Sequence, residues 1–268
     1  MDAKFHPAMA AVKAGDLEQF KALIAEDPSL ATARSTCSHP TLLQCVTLDG
    51  KDQPHNVEMA QVLIDAGAEL NEPLVAAASI DNRAVAELLL DHGAAIDGTG
   101  GWTPLEEALY WNNKNVLALL LERGAKVQNL RTAAALGRID LIESYFNADG
   151  SLKPEAGKVS SPFTKRDKLW SQDQQSIVNN AFVYACMHEH IDAAKLLLEK
   201  GAEINVIPGG FDYAGTALHY AALNGHRAMV ELLLQHGADR NIKDTKVGST
   251  AAGWAEYGGH PELLDLLA

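Results

Sequence analysis

One phrase recurs along the chain: "LLLDHGA" from Leu88, "LLLERGA" from Leu119, "LLLEKGA" from Leu196 and "LLLQHGA" from Leu232, with "VLIDAGA" from Val62 as a variant. A sequence that repeats a short apolar phrase must solve the same burial problem several times, which excludes most folds built around one central core. Its glycines set the period. Gly93 and Gly124 are 31 residues apart and Gly201 and Gly237 are 36 apart, both near the ~33 of one class of helical repeat. The longer interval, 77 residues from Gly124 to Gly201, contains another copy, "RTAAALGRIDLIESYF" from Arg131, with about eleven residues beyond two periods. The excess falls between Asn147 and Gln175.

A whole unit is visible from Gly215 to Asn241, "GTALHYAALNGHRAMVELLLQHGADRN". Adjacent alanines, Ala221-Ala222 here and Ala133-Ala134 earlier, keep a first helix thin enough for close stacking. Gly225 ends that helix where a left-handed residue is needed, "VELLL" gives the second helix one apolar face, and Gly237 ends it. The apolar residues exceed what two short helices can bury between themselves, so the next unit must cover the remainder. The composition, 47% hydrophobic but only 6% aromatic, suits such Ala- and Leu-rich helices.

These residues carry a resemblance to the ankyrin-repeat family, whose pattern G-x-T-P-L-H-x-A-A, G-H, V, L-L, G-A-x-x-N is matched by "WTPLEEAL" from Trp102, "TALHYAALNGH" from Thr216 and every "GA" phrase. The closing "TAAGWAEYGGHPELLDLL" is similar to the terminal repeats of short stand-alone bacterial ankyrin proteins. The resemblance implies an all-α solenoid with hairpin fingers and eight units, beginning near Phe5, Cys37, Asn71, Gly98, Asn129, Ser176, Phe211 and Asp244. Repeats 1 to 5 then occupy residues 1–146, an insertion 147–175, and repeats 6 to 8 residues 176–268. For activity it implies a scaffold that binds other proteins on its concave, finger-bearing face.

Several stretches depart from the pattern. Gly67 and Gly93 are only 26 residues apart because "GAELNEPLVAAAS" runs from one second helix almost directly into the next first helix, so this unit lacks most of its finger. "GKDQPHN" from Gly50 lengthens the turn between helices. The insertion, rich in Pro, Gly, Ser and charge with Phe163 and Trp170 as its aromatics, reads as a linker or as a lid over the groove, with the first proteolytic cuts expected between Gly150 and Lys168.

Charge and cysteine usage narrow the function. With 35 acidic against 22 basic residues the net charge is −13, which repels a phosphate backbone and disfavours nucleic acid as a partner. The three cysteines show no C-x-x-C spacing, so neither a disulfide framework nor a zinc ribbon is expected, and a cytoplasmic monomer without leader or membrane span fits. "CMHEH" from Cys186 brings Cys186, His188 and His190 to every second position, which projects them from a helix at divergent angles, so no metal site is expected. No nucleophile elbow or phosphate loop is visible; no cofactor and no catalytic residue are expected.

His219 stands at the histidine of the family pattern, and Glu106 and Arg131 are expected at the equivalent place in the fourth and fifth units. They read either as buried structural groups or, together, as a groove site for a small molecule or a reaction covered by the insertion. Alignment of the units places Trp102, Tyr110, Trp111, His188, Tyr213, Leu223, Asn224 and Tyr257 on the concave face, as the contact set for a protein partner. A chain poor in aromatics that spends them at exposed positions has the makings of a binding surface.

If each unit is covered by its neighbour, deleting residues from Ser249 onward uncovers the "MVELLLQHG" helix. Circular dichroism melts should show a lower midpoint than the full chain, and an equal midpoint without aggregation would exclude a stacked array.

Overall fold

The computed structural model describes residues 2–36, 39–160, 170–212 and 214–268. It divides into two compact units, Met1–Lys126 and Val127–Ala268. The first contains α1 (His6–Ala14), α2 (Leu17–Glu26), α3 (Ser29–Thr32), α4 (Leu42–Asp49), α5 (Asn56–Asp65), α6 (Asn71–Ser79), α7 (Arg83–Asp91), α8 (Pro104–Tyr110) and α9 (Lys114–Glu122). The second contains α10 (Leu130–Ala135), α11 (Ile139–Ser144), α12 (Gln174–Met187), α13 (Ile191–Glu199), α14 (Ala217–Leu223), α15 (Arg227–Gln235), α16 (Ala251–Gly258) and α17 (Leu264–Leu267). Setting the one-turn α3 aside, each unit holds four antiparallel helix pairs, and first helices stack on first helices as second helices stack on second. Among the described residues there is no β-strand: the fingers contribute only the isolated bridges Arg34–Thr41 and Phe146–Leu152. The architecture is the all-α repeat stack that the period implied.

Why the chain reverses between the helices of a pair is the same every time. One residue adopts a left-handed backbone: Gly15, His55, Asp81, Asn112, Gly137, Glu189, Gly225 and Gly259. Four of these carry side chains at φ between 56° and 61°, a conformation that costs an L-residue roughly 1 kcal/mol. Asp81 offsets that cost, because its carboxylate accepts the N–H of Val116 at 2.8 Å and the Asn115 amide at 2.6 Å, satisfying the exposed start of α9 in the next repeat.

A polar ladder ties successive repeats within each unit. The residue after the left-handed turn donates to a carbonyl in the first helix of the preceding repeat: Asn82 Nδ2 to Thr47 O at 3.1 Å and Asn113 Nδ2 to Ala78 O at 2.7 Å. In the second unit His226 Nε2 does the same to Met187 O at 3.0 Å, and His190 bonds the backbone of Ala135. The His190 ring lies so close over Gly137, and that of His260 over Gly225, that a Cβ at either glycine would collide with it. Around the ladder the core is small: Ala77, Ala78, Ala133, Ala134, Ala185, Ala221 and Ala222 are buried in the first helices. The middle leucine of the recurrent phrase, Leu89, Leu120, Leu197 or Leu233, is buried in the second.

The insertion is not an open linker over its described residues 147–160. Asn147 and Ser151 close a tight turn, a 3-10 turn spans Pro154–Ala156, and Ala156 and Val159 are buried. Gln172 clamps it by donating to Val159 O and accepting from Val159 N–H, both at 2.9 Å. Within the span expected to be cut first, Gly150 to Lys168, the Lys153 ammonium lies on Ser144 O at 2.7 Å, while residues 161–168 lie outside the described residues. Trp170 packs its ring against Gly209. Phe163 lies outside the described residues.

The last repeat is pinned by one acid. Asp244 accepts the N–H groups of Lys246, Val247 and Ser249 at 2.8 Å and the Trp254 indole at 3.0 Å. Burial opposes its ionisation, yet these four donors hold its carboxyl well below the usual range. An acid so depressed contributes stability that is present above the ordinary carboxylate pKa and lost as pH falls through the folded-state value. Asp244→Ala leaves four donors without their acceptor and should cost about 3 kcal/mol in urea unfolding at pH 7. A loss under about 0.5 kcal/mol would mean the finger is held by other contacts.

Candidate functional site

The fourth repeat begins with a capping box. Thr103 Oγ accepts the Glu106 N–H at 3.1 Å, and the Glu106 carboxylate accepts the N–H and hydroxyl of Thr103 at 3.0 and 3.3 Å, starting α8 at Pro104. Two turns later α8 ends, with Trp111 at its C-cap. Tryptophans thus flank a seven-residue helix, Trp102 before it and Trp111 after it. Between them is Glu107, which is only 4% exposed. Trp102 Nε1 donates to Glu107 Oε2 at 2.5 Å and Trp111 Nε1 donates to Glu107 Oε1 at 2.9 Å. Tyr110 meets both indoles edge to face, with centroids 6.2 Å from Trp102 and 5.2 Å from Trp111. Burial pushes the Glu107 carboxyl up, and the two indole donors counter it. Trp111 is 46% exposed, while Trp102 and Tyr110 are half-buried.

Glu107 was not legible as a site residue. Five positions before the left-handed turn the second unit carries Tyr184, Tyr220 and Trp254, all buried. With Phe211 inserted between the tyrosines they form a continuous column, at spacings of 5.0, 4.9 and 5.2 Å. The fourth repeat puts a carboxylate in that place and its rings to either side. The spacing Trp102-Glu107-Trp111 was the available signal, since the second pair is i, i+4 on one helical face. The column also corrects the expectation that the chain spends its aromatics at exposed positions: most described aromatics of the second unit are buried.

The other residues expected to meet a partner are spread along the second unit. Tyr257 is 89% exposed on α16. Leu223 and Asn224 end α14, half-buried, with the Asn224 amide donating to Tyr220 O at 2.9 Å, and His188 caps α12. Tyr213 lies outside the described residues. Cys186 and His190 serve the stack: Cys186 is fully buried, where desolvation pushes its thiol far up, and His190 is a rung of the ladder.

The three groove residues are all buried, and their described polar contacts serve the backbone of their own unit. Glu106 closes the cap of α8. His219 repeats that box in α14: its Nδ1 accepts the Thr216 N–H and hydroxyl at 3.1 and 2.9 Å, which leaves Nε2–H to donate to Ser249 O at 3.2 Å. Arg131, expected at the same place, matches it only when counted back from Gly137. Because α10 is one residue shorter than α14, its box is closed by Asn129 and Thr132. Arg131 reaches instead along the insertion, donating to Ser160 O at 3.0 Å and resting 5.8 Å over the Tyr184 ring.

A sequence model of ankyrin repeats matches in three copies, over residues 8–131, 161–244 and 207–268. The chain belongs to the ankyrin-repeat family. Ankyrin repeats generally serve as protein-interaction modules, and among the described residues eight left-handed turns each join the two helices of a pair. No curated protein matches it. Among the described residues no helix is long and apolar enough to cross a membrane.

Burial lowers the His219 pKa, although its bond to Ser249 and the nearby Asp244 favour the charged form. A folded-state pKa below the unfolded ~6.5 means that unfolding takes up a proton, so stability falls with pH below that value. Urea melts at pH 7.5 and 5.5 should show a loss for the wild type that shrinks in His219→Gln, with His190 supplying part of what remains. An unchanged pH response in the variant would contradict the neutral, doubly bonded imidazole.

Proposed function

We propose that this ankyrin chain is a non-catalytic scaffold that binds a protein partner through the finger-side surface of its repeats, the face that the family resemblance makes concave, as a monomer in the cytoplasm. The Trp102–Tyr110–Trp111 cluster carries the reading. Rings clamped by hydrogen bonds to one buried carboxylate lose little freedom on binding, and such aromatic anchors dominate interface energies. Tyr257, Leu223, Asn224, His188 and Tyr213 extend the contact set to other repeats. The buried thiol of Cys186 suits a reducing compartment. Using Glu106, Arg131 and His219 as a reactive set would first require breaking the caps and backbone bonds they make.

Replacing Trp102, Tyr110 and Trp111 together by alanine should weaken binding of the partner recovered with the intact chain by about 3 kcal/mol, roughly a hundredfold. The melting midpoint should move by only a few degrees, since these rings flank α8 rather than fill the stack. Calorimetry and thermal melts on both proteins separate the outcomes: intact binding with collapsed stability would assign the rings to the core and remove this reading.

A further inference from the structure

Glu107 and Asp244 are both buried carboxylates, but their donors differ in number. Asp244 gathers four N–H groups, whereas Glu107 has two, the indoles of Trp102 and Trp111, one on each oxygen. Two donors offset burial less than four do. The Glu107 carboxyl is accordingly pushed up where that of Asp244 is held down.

A proton on Glu107 changes what it can do for the indoles. Ionised, each oxygen accepts one indole N–H. Protonated, one oxygen becomes a hydroxyl with a hydrogen of its own to donate, and the indole it faces has no acceptor site to receive it. Only one of the two indole bonds then survives at full strength. The surrounding charges are engaged elsewhere. Glu106, on the same helix, is bound in its cap; the preceding finger carries Asp97, which accepts the Lys126 N–H at 2.8 Å. Of the helices packed on α8, α6 carries Glu72, paired with Arg34, and α9 carries Lys114 and Glu122, the latter paired with Arg83. Among the described residues no charge displaces the Glu107 carboxyl: burial raises it and the two indole bonds oppose that.

We propose that Glu107 is a proton-operated positioning residue: ionised it holds both indoles of the Trp102–Tyr110–Trp111 cluster, protonated it holds one, so that partner binding weakens as the solution turns acid. The inference rests on the partner-binding reading and adds its regulation. Stability moves the opposite way. A carboxyl raised by folding contributes stability that is present below its unfolded value and lost as pH rises through the folded one, so the acid that resets the rings does not unfold the repeat through this group.

The test uses the full chain. Indole N–H resonances are recorded by NMR at pH 7.5 for the wild type and for Glu107→Gln, whose amide copies the protonated acid in offering one acceptor and one donor group. The Trp102 or the Trp111 resonance should move in the variant, while that of Trp254, held by Asp244, stays still. Tryptophan fluorescence of dilute wild type, followed from pH 7.5 to 4.5, should change in one step centred above the ordinary glutamate value, and the step should be absent from Glu107→Gln. Trp111→Phe, which keeps Glu107, should shrink the step, so its assignment does not depend on the glutamine variant folding. The partner recovered with the intact chain should bind roughly three- to tenfold more weakly on the acid side of the step than at pH 7.5, and Glu107→Gln should be weak at both. No step in the wild type, an undiminished step in Glu107→Gln or Trp111→Phe, or a folded glutamine variant that binds like wild type at pH 7.5 each overturns the proposal and leaves the scaffold reading in place. Unchanged partner binding in the triple alanine variant removes both.

Discussion

A carbonyl near the end of α4, α6, α10 and α12 takes its hydrogen bond from a side chain of the following repeat. Asn82, Asn113 and His226 fill this role with side chains that start one helix and reach back to another. The demand fixes much else. The donor must approach closely, which is why Gly137 is a glycine where the ring of His190 lies over it. It also requires thin first helices, which explains the paired alanines better than helix propensity does.

What was legible in the sequence was whatever a single repeat determines alone. The recurrent leucines, the paired alanines and the box from Thr216 to His219 are local, and the period exposed them. The lost finger of the third repeat was visible too: α5 ends at Asp65 and α6 begins at Asn71. Arg131 was misregistered because two landmarks in its repeat disagree by one residue: the turn at Gly137 aligns it with His219, while the cap at Asn129 does not. Helix length settles which landmark governs, and helix length was not written in the pattern.

Glu107 was illegible for a different reason. Its role depends on two indoles turning inward from opposite ends of α8, a choice of rotamer rather than of residue type. The same register position holds buried rings in three later repeats, so alignment alone predicted a core residue there and was right about burial. With a carboxylate at that point, the rings of the fourth repeat lie to either side of it, and Trp111 is left 46% exposed.

The ladder also has a direction. Asn113 completes α6, His226 completes α12, and Ser249 in the last finger accepts from His219 in the repeat before it. Each of these repeats is finished by its successor. A chain emerging from the ribosome therefore carries at its growing end a repeat with open hydrogen-bonding groups and an uncovered apolar flank, and only the next helix pair can close it. The repeat that contains Asp244 closes part of itself instead: four donors from its own finger and first helix meet on one buried carboxylate, without waiting for another helix pair.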